Sequence, residues 1–268
     1  MGVADRGALA AAGAVAQAHG LRCDDAVILR DQLNVLVHLR PAPVVARVAG
    51  TIASVRPGTT WQARELAITT HLAAAGAPVI APSGELPPGP HVHDGRVVSF
   101  FELAEIVDDP ADPVAAGEGL RFCHEALRDF PGSLPVLSGV TEAEALLTKL
   151  AAEESIESAN AHRLLDHILE LHSTLGSLRA PIRPLHGDAH LNNVLNTTRG
   201  PLWNDWEDTC LGPLEWDAAC LALTRDGGER AEAALAASGI ELDPGELALW
   251  VEARSLQVAV WRAYLAMS

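Results

Sequence analysis

The sequence predicts an α+β protein in two lobes, an antiparallel five-stranded sheet with one helix followed by a mainly helical half. Three observations carry this. The first hundred residues contain short, β-branched apolar runs joined by very short turns, the pattern of an antiparallel meander. After Phe101 the apolar period changes from that of a strand to that of a helix and stays so to the end of the chain. One stretch, around residues 185–207, interrupts the helices with short strands. The boundary is expected near residue 101, with an N-terminal lobe over 1–101 and a C-terminal lobe over 102–268. Nothing there resembles a flexible linker, so the lobes should meet around a cleft.

Residues 5–19 read as a short surface helix. Its Ala-rich run could pass for a signal-peptide core, but Asp5 offsets Arg6 and no basic leader precedes it. Residues 27–30 and 34–39 read as strands around a turn at 31–33, and 43–48 as a third strand. Residues 61–75 read as a helix with Trp61, Leu66, Ile68 and Leu72 on one side and Gly76 as its stop. Residues 78–80 and 96–101 supply the last two strands, with the Pro-rich segment 82–90 as the loop between them. A loop at 108–113 leads into helices expected at 114–130, 141–150, 154–178, 214–225, 228–238 and 245–266, with short strands around 193–206.

A chain of 268 residues can bury a large core. Hydrophobic residues make up 49% but aromatics only 4%, so the mean hydropathy of +0.14 reflects alanine. No uncharged apolar run reaches the roughly 18 residues of a membrane-spanning helix. Cys23, Cys123, Cys210 and Cys220 form no C-x-x-C pair and read as free thiols of a cytoplasmic protein. A net charge of −16 argues against a nucleic-acid backbone as partner and is compatible with a small cationic substrate. Lys149 is the single lysine, so cationic work elsewhere falls to arginine.

The stretch Leu185-His186-Gly187-Asp188-Ala189-His190-Leu191-Asn192-Asn193 carries the chemistry. Asn193 follows Asp188 by five places, and Asp205 follows after a short apolar run. Phosphoryl transfer needs these groups: one carboxylate to accept the proton of the attacking hydroxyl, and an amide oxygen with a second carboxylate to hold magnesium. Asp188 is the candidate base, and Asn193 and Asp205 are the candidate metal ligands.

His186 to Asn193 resembles the H-G-D-x-H-x-x-N signature of the aminoglycoside phosphotransferase and choline-kinase-like superfamily. Asp205-Trp206-Glu207 and the segment 212–217 resemble the stretches that follow it. The resemblance implies a protein-kinase-like fold and a small-molecule kinase dependent on Mg2+ and on ATP or GTP. The acceptor would be a hydroxyl of an aminoglycoside-, choline- or sugar-like molecule. It also implies roles for further residues. Arg47, on the third strand, stands where the family has a lysine that clamps phosphates, and Glu65 on the next helix is its natural partner. Asn34 resembles an asparagine of the phosphate-covering loop, here without glycine, and Phe101, Glu102 and Leu103 resemble the hinge whose backbone receives the base. Asp217 would brace the catalytic loop, or be an ordinary helix-start carboxylate. Glu207 stays open between an added ligand, a charge facing substrate and an exposed acid.

Two other readings remain. His186, Asp188 and His190 could form a metal-dependent phosphoester hydrolase cluster. Alternatively, Arg47 and the glycine-free turn could mark a nucleotide-binding protein without transfer activity.

Overall fold

The computed structural model describes residues 3–152, 158–177, 180–225 and 227–266. Helix α1 (Val3–Ala18) buries Ala8, Ala11, Ala12, Val15 and Ala16, an i, i+3, i+4, i+7, i+8 stripe of small side chains. That stripe lies against one face of a five-stranded antiparallel sheet with order β1-β2-β3-β5-β4. The strands are β1 (Cys23–Asp31), β2 (Asn34–Pro41), β3 (Val44–Ala49), β4 (His91–His93) and β5 (Arg96–Glu102). Alternate residues face the helix, namely Val35, Val37 and Leu39 of β2, and Val44, Ala46 and Val48 of β3.

The sheet has the expected number of strands with one member exchanged. Residues 78–80 are not in it. Val79 forms a single parallel bridge with Trp203. The Ile80 N–H donates to Trp203 O at 3.0 Å, and the Trp203 N–H donates to Pro78 O at 2.8 Å. This segment finds its partner among the C-terminal strands, while β5 is edged by β4 at residues 96–98 and by residues 81–83 at residues 100–102. The signal for β4 is Asp94-Gly95, both at positive φ, the pair that closes a two-residue hairpin onto Arg96.

Helix α2 (Thr60–Ala74) lies between the two halves. Its Leu66 packs with Ile80, Phe101 and Leu202, whereas Ile68 and Leu72 join the large C-terminal core. That core holds Trp203, Trp206, Trp216 and Trp250 among the leucines of α3 (Pro113–Leu127), α4 (Ser138–Ala152) and α5 (Ser158–Ser177). Helices α6 (Glu215–Ala222), α7 (Gly228–Ala237) and α8 (Pro244–Leu265) complete it. Asp112 and Asp243 cap α3 and α8 just before a proline at the first turn, a pairing visible in sequence. The helix expected at 154–178 is described over Ser158–Ser177, and the rest of that span lies outside the described residues.

Two short ribbons frame the site. β6 (Arg183–Leu185) pairs with β9 (Cys210–Gly212), and β7 (Val194–Thr197) pairs with β8 (Gly200–Trp203). The second ribbon was expected. The first was not, since three residues are too few to show a period. Among the described residues no helix is long and apolar enough to cross a membrane.

Candidate active site

The loop from His186 to Asn193 leaves β6 and closes through a 3-10 turn at Leu191–Asn193 into β7. Gly187 sits at φ +87°, and a Cβ there would lie 2.0 Å from the Asp208 carbonyl oxygen, so only glycine fits. Asp217, fully buried at the start of α6, holds the loop from beneath. Its Oδ2 accepts from His186 N–H at 2.8 Å and lies 2.8 Å from His124 Nε2; its Oδ1 accepts from Gly187 N–H at 2.9 Å. The Trp216 indole N–H donates to the Gly187 carbonyl at 2.8 Å. The bracing role implied for Asp217 therefore has a geometry to match.

His186 is buried between Trp203 and Trp206, its ring 4.3 Å from the latter. Its Nδ1 takes the Asp188 N–H at 3.3 Å, and its Nε2 lies 3.1 Å from Asn204 O. Burial lowers its pKa, favouring the neutral ring. With Nδ1 accepting and Nε2 donating, no lone pair is left for a metal ion, and the hydrolase alternative loses its first ligand.

Asp188 faces the cleft. Asn193 Nδ2 donates to its carbonyl at 2.9 Å and to Oδ2 at 3.2 Å; His190 Nε2 is 3.4 Å from the same oxygen. Arg254, from α8, binds Oδ1. Burial opposes the ionised carboxylate, but Arg254, His190 and His186 outweigh it, so Asp188 stays below the usual carboxylate range. Asp205 stands at the end of β8 in the left-handed region, φ +65°, a conformation that Asp tolerates better than most residues. Asn204 ties it to the loop, donating from N and Nδ2 to Asn193 O at 3.0 and 2.8 Å.

Arg47 on β3 is buried among three acids. It binds Glu65 of α2 through Nη1, and its Nη2 lies 2.8 Å from Asp205 Oδ1 and 2.7 Å from Glu207 Oε2. The Asn34 amide, with its oxygen toward Arg47, accepts from Nη2 at 2.7 Å and Nε at 3.2 Å. Burial disfavours the cation, but Glu207, Glu65 and Asp205 hold its pKa above the ordinary value. Burial and mutual repulsion raise Glu65 to about 8 and Glu207 to about 7, against the pull of Arg47. Glu207 is thus neither exposed nor free. It also accepts from Arg56 Nη1 at 2.8 Å. Arg56, buried after β3, reaches Glu142 of α4 and Asp208 and stacks on Trp61, 3.9 Å from the ring centre.

A cleft of about 550 Å³ gathers the expected residues: Asn34, Arg47, Glu65, Asp188, Asn193 and Asp205 all line it, as do Phe101, Glu102 and Leu103. The Glu102 and Leu103 N–H groups are committed to Ala81 O at 3.0 Å and Pro43 O at 2.9 Å, so they cannot donate to a base. The turn without glycine is held close by Gly50 on the neighbouring strand end, whose N–H donates to Leu33 O at 3.1 Å; a Cβ there would stand 2.8 Å from that oxygen. Asp31 is exposed and does not line the cleft, whereas Arg30 does.

Sequence reasoning passed over Arg254, Arg56 and Arg30. Arg30 was legible as a cation beside the turn. Arg254 lies 66 residues from its partner, and no local pattern marks it.

Comparison with known proteins follows the same line. The profile of the phosphotransferase enzyme family matches residues 56–250. A comparison with curated protein sequences gives no match. Among solved structures, an amicoumacin kinase, hAmiN, in complex with AMP-PNP, Ca2+ and Ami superposes with a TM-score of 0.71 at 14% identity, over 94% of this chain and 85% of that one. The choline kinase LicA from Streptococcus pneumoniae gives 0.68 at 16%, over 95% and 90%. The aminoglycoside phosphotransferase APH(2")-IIia, in a GDP and kanamycin complex, gives 0.64 at 16%, over 92% and 89%. At such identities these likenesses establish the two-lobed fold. With its family profile spanning most of the sequence, the chain belongs to the phosphotransferase enzyme family.

Proposed function

We propose that the chain is a small-molecule kinase that moves the γ-phosphoryl group of a nucleoside triphosphate, ATP or GTP, to a hydroxyl of its acceptor. The carrying observation is that Asp188, Asn193 and Asp205 converge with Arg47 on one cleft. Asp188 Oδ2 would take the acceptor's proton as the new O–P bond forms and the bond to the β-phosphate oxygen breaks, releasing the diphosphate. Arg254 on Oδ1 and Asn193 on Oδ2 fix the direction of that carboxylate.

The donor set suits magnesium. Asp205 offers carboxylate oxygens, and Asn193, whose Nδ2 is spent on Asp188, offers its amide oxygen. Magnesium held by Asp205 and Asn193 would supply the positive charge that offsets the phosphates. Arg47, steadied by Glu65, and Arg30 at the turn would meet the phosphates. The base would lie between Leu36, Val45, Ile80 and Leu195, with the Ala104 N–H as donor in place of Glu102 and Leu103. We keep the division at residue 101 as part of this reading, nucleotide above and acceptor below.

Thermal stability measured with magnesium alone, with MgATP, with MgGTP and with zinc tests the reading and chooses the nucleotide. A magnesium-dependent nucleotide shift that vanishes in Asp205→Ala supports it. A shift with zinc and none with nucleotide would return the site to hydrolase chemistry. AMP-PNP and GDP in the complexes of structural neighbours support the nucleotide arm.

A further inference from the structure

A second cavity, of about 400 Å³, adjoins the cleft across Leu195, which lines both. That size falls within the range of small-molecule sites, about 300–1,000 Å³. Val107, Pro110, Leu191 and Val194 give it an apolar wall. Arg225 and Arg230 line it together with a single acid, Asp109. In a chain of net charge −16 this is a local excess of positive charge. Asp109 is exposed, so solvent screens its opposition. Arg47, Arg56 and Arg254 are buried, and each meets a carboxylate. Arg230, half-buried on α7, differs. Its Nη2 donates to the Ala111 carbonyl, and it meets no carboxylate among the described residues. A carbonyl holds a guanidinium in place without neutralising it, and the guanidinium has five N–H donors. The wall also carries Thr224, buried, whose Oγ1 accepts the Leu191 N–H at 3.1 Å. That bond ties the cavity to the loop of Asp188 and Asn193.

We propose that this cavity is a second ligand site, for a small organic anion with an apolar body. Its phosphate or carboxylate group would sit on Arg230, with Arg225 at the rim. Its carbon skeleton would lie against Pro110, Leu191 and Val194. Guanidinium is the side chain best shaped to hold such an anion. The site lies outside the cleft and needs neither nucleotide nor magnesium. It therefore goes beyond the kinase reading and stands or falls apart from it.

The test is calorimetric binding of phenyl phosphate, benzoate and benzyl alcohol to the full chain, each with and without MgADP. The first two separate the phosphate and carboxylate sources of the anion, and the alcohol tests whether charge is needed. The expected result is that at least one anion binds, that the alcohol binds far more weakly, and that MgADP does not displace the anion. Arg230→Gln should weaken the anion about tenfold or more, from the loss of a charged hydrogen bond. Arg225 and Asn192 are exposed, so Arg225→Gln and Asn192→Asp should fold. Each should weaken the anion by making the rim one charge more negative. Arg30→Gln, in the cleft, should leave it unchanged. No anion binding, equal binding of the alcohol, displacement by MgADP, unchanged binding in Arg230→Gln, or loss in Arg30→Gln would each overturn the proposal. If Arg230→Gln does not fold, unchanged binding in both rim variants overturns it equally. Failure of MgADP to bind while the anion still needs Arg230 would strike the kinase reading and leave this one standing.

Discussion

The two ends of the cleft are built with opposite charge ratios. At the sheet end two cations, Arg47 and Arg56, face five acids, Glu65, Asp205, Glu207, Asp208 and Glu142. At the loop end one acid, Asp188, faces Arg254, His190 and Asn193. Two guanidiniums cannot neutralise all of these in a site of low dielectric, and burial with mutual repulsion raises Glu65 to about 8 and Glu207 to about 7. The same electrostatics keep Asp188 ionised. On the proposed reading, the first end would take a divalent cation before phosphates approach, and the second would offer a ready proton acceptor. A single kind of pair, arginine with carboxylate, serves both purposes, and the ratio decides which.

The largest effect should come from removing the one acid at the loop end. Asp188→Asn should lower turnover by roughly 10² to 10⁴, the usual contribution of a general base, with nucleotide binding intact. Diphosphate release beside a nucleotide-induced thermal shift checks both halves; undiminished turnover would sink the assignment. At the sheet end, Arg56→Ala strips a partner from Glu142, Glu207 and Asp208 together. A loss of about 3–5 kcal/mol in denaturant unfolding is expected, the cost of leaving buried charge uncompensated. A loss below about 1 kcal/mol would show these acids to be far better solvated than their burial implies.

Asp205→Ala sharpens the contrast further. Wild-type protein with MgATP at about 100 times its dissociation constant should gain roughly 2.7 kcal/mol, and the variant should gain none. The smallest effect is on pH. Glu65 and Glu207 are raised to about 8 and about 7, while unfolded glutamates titrate near 4.3. The native state then holds protons that the unfolded chain has released. This share of the stability is complete below about pH 4.3 and is lost as pH climbs through the raised values. Asp188 contributes in the opposite sense, its share being lost only as pH falls into strong acid. In metal-free protein, Glu65→Gln should flatten the decline between neutral pH and about 8; an unchanged slope would place the proton elsewhere.

Much of the site was legible because it is local. Asp188 and Asn193 sit on one turn, and the Arg47–Glu65 pair follows from a strand passing into the next helix. Glycine at 187 was expected from the motif, and its necessity became visible only against the Asp208 carbonyl. Residues 101–103 line the cleft, but the commitment of the Glu102 and Leu103 N–H groups to Ala81 and Pro43 was not legible, because those partners come from other turns. The exchanged strand has the same origin. Residues 78–80 have the composition of a strand, yet composition does not say which edge is vacant.

The sequence by itself determined the period of the longer elements and the Asp-to-Asn spacing of the loop at 188–193. Each depends on residues within a turn or two of one another. Only the tertiary structure decided which acid each arginine meets: Arg47 reaches Asp205 across 158 residues, and Arg254 reaches Asp188 across 66. Such pairs arise when separate elements pack and exclude water, so their strength and their protonation belong to the closed cleft and to no segment alone.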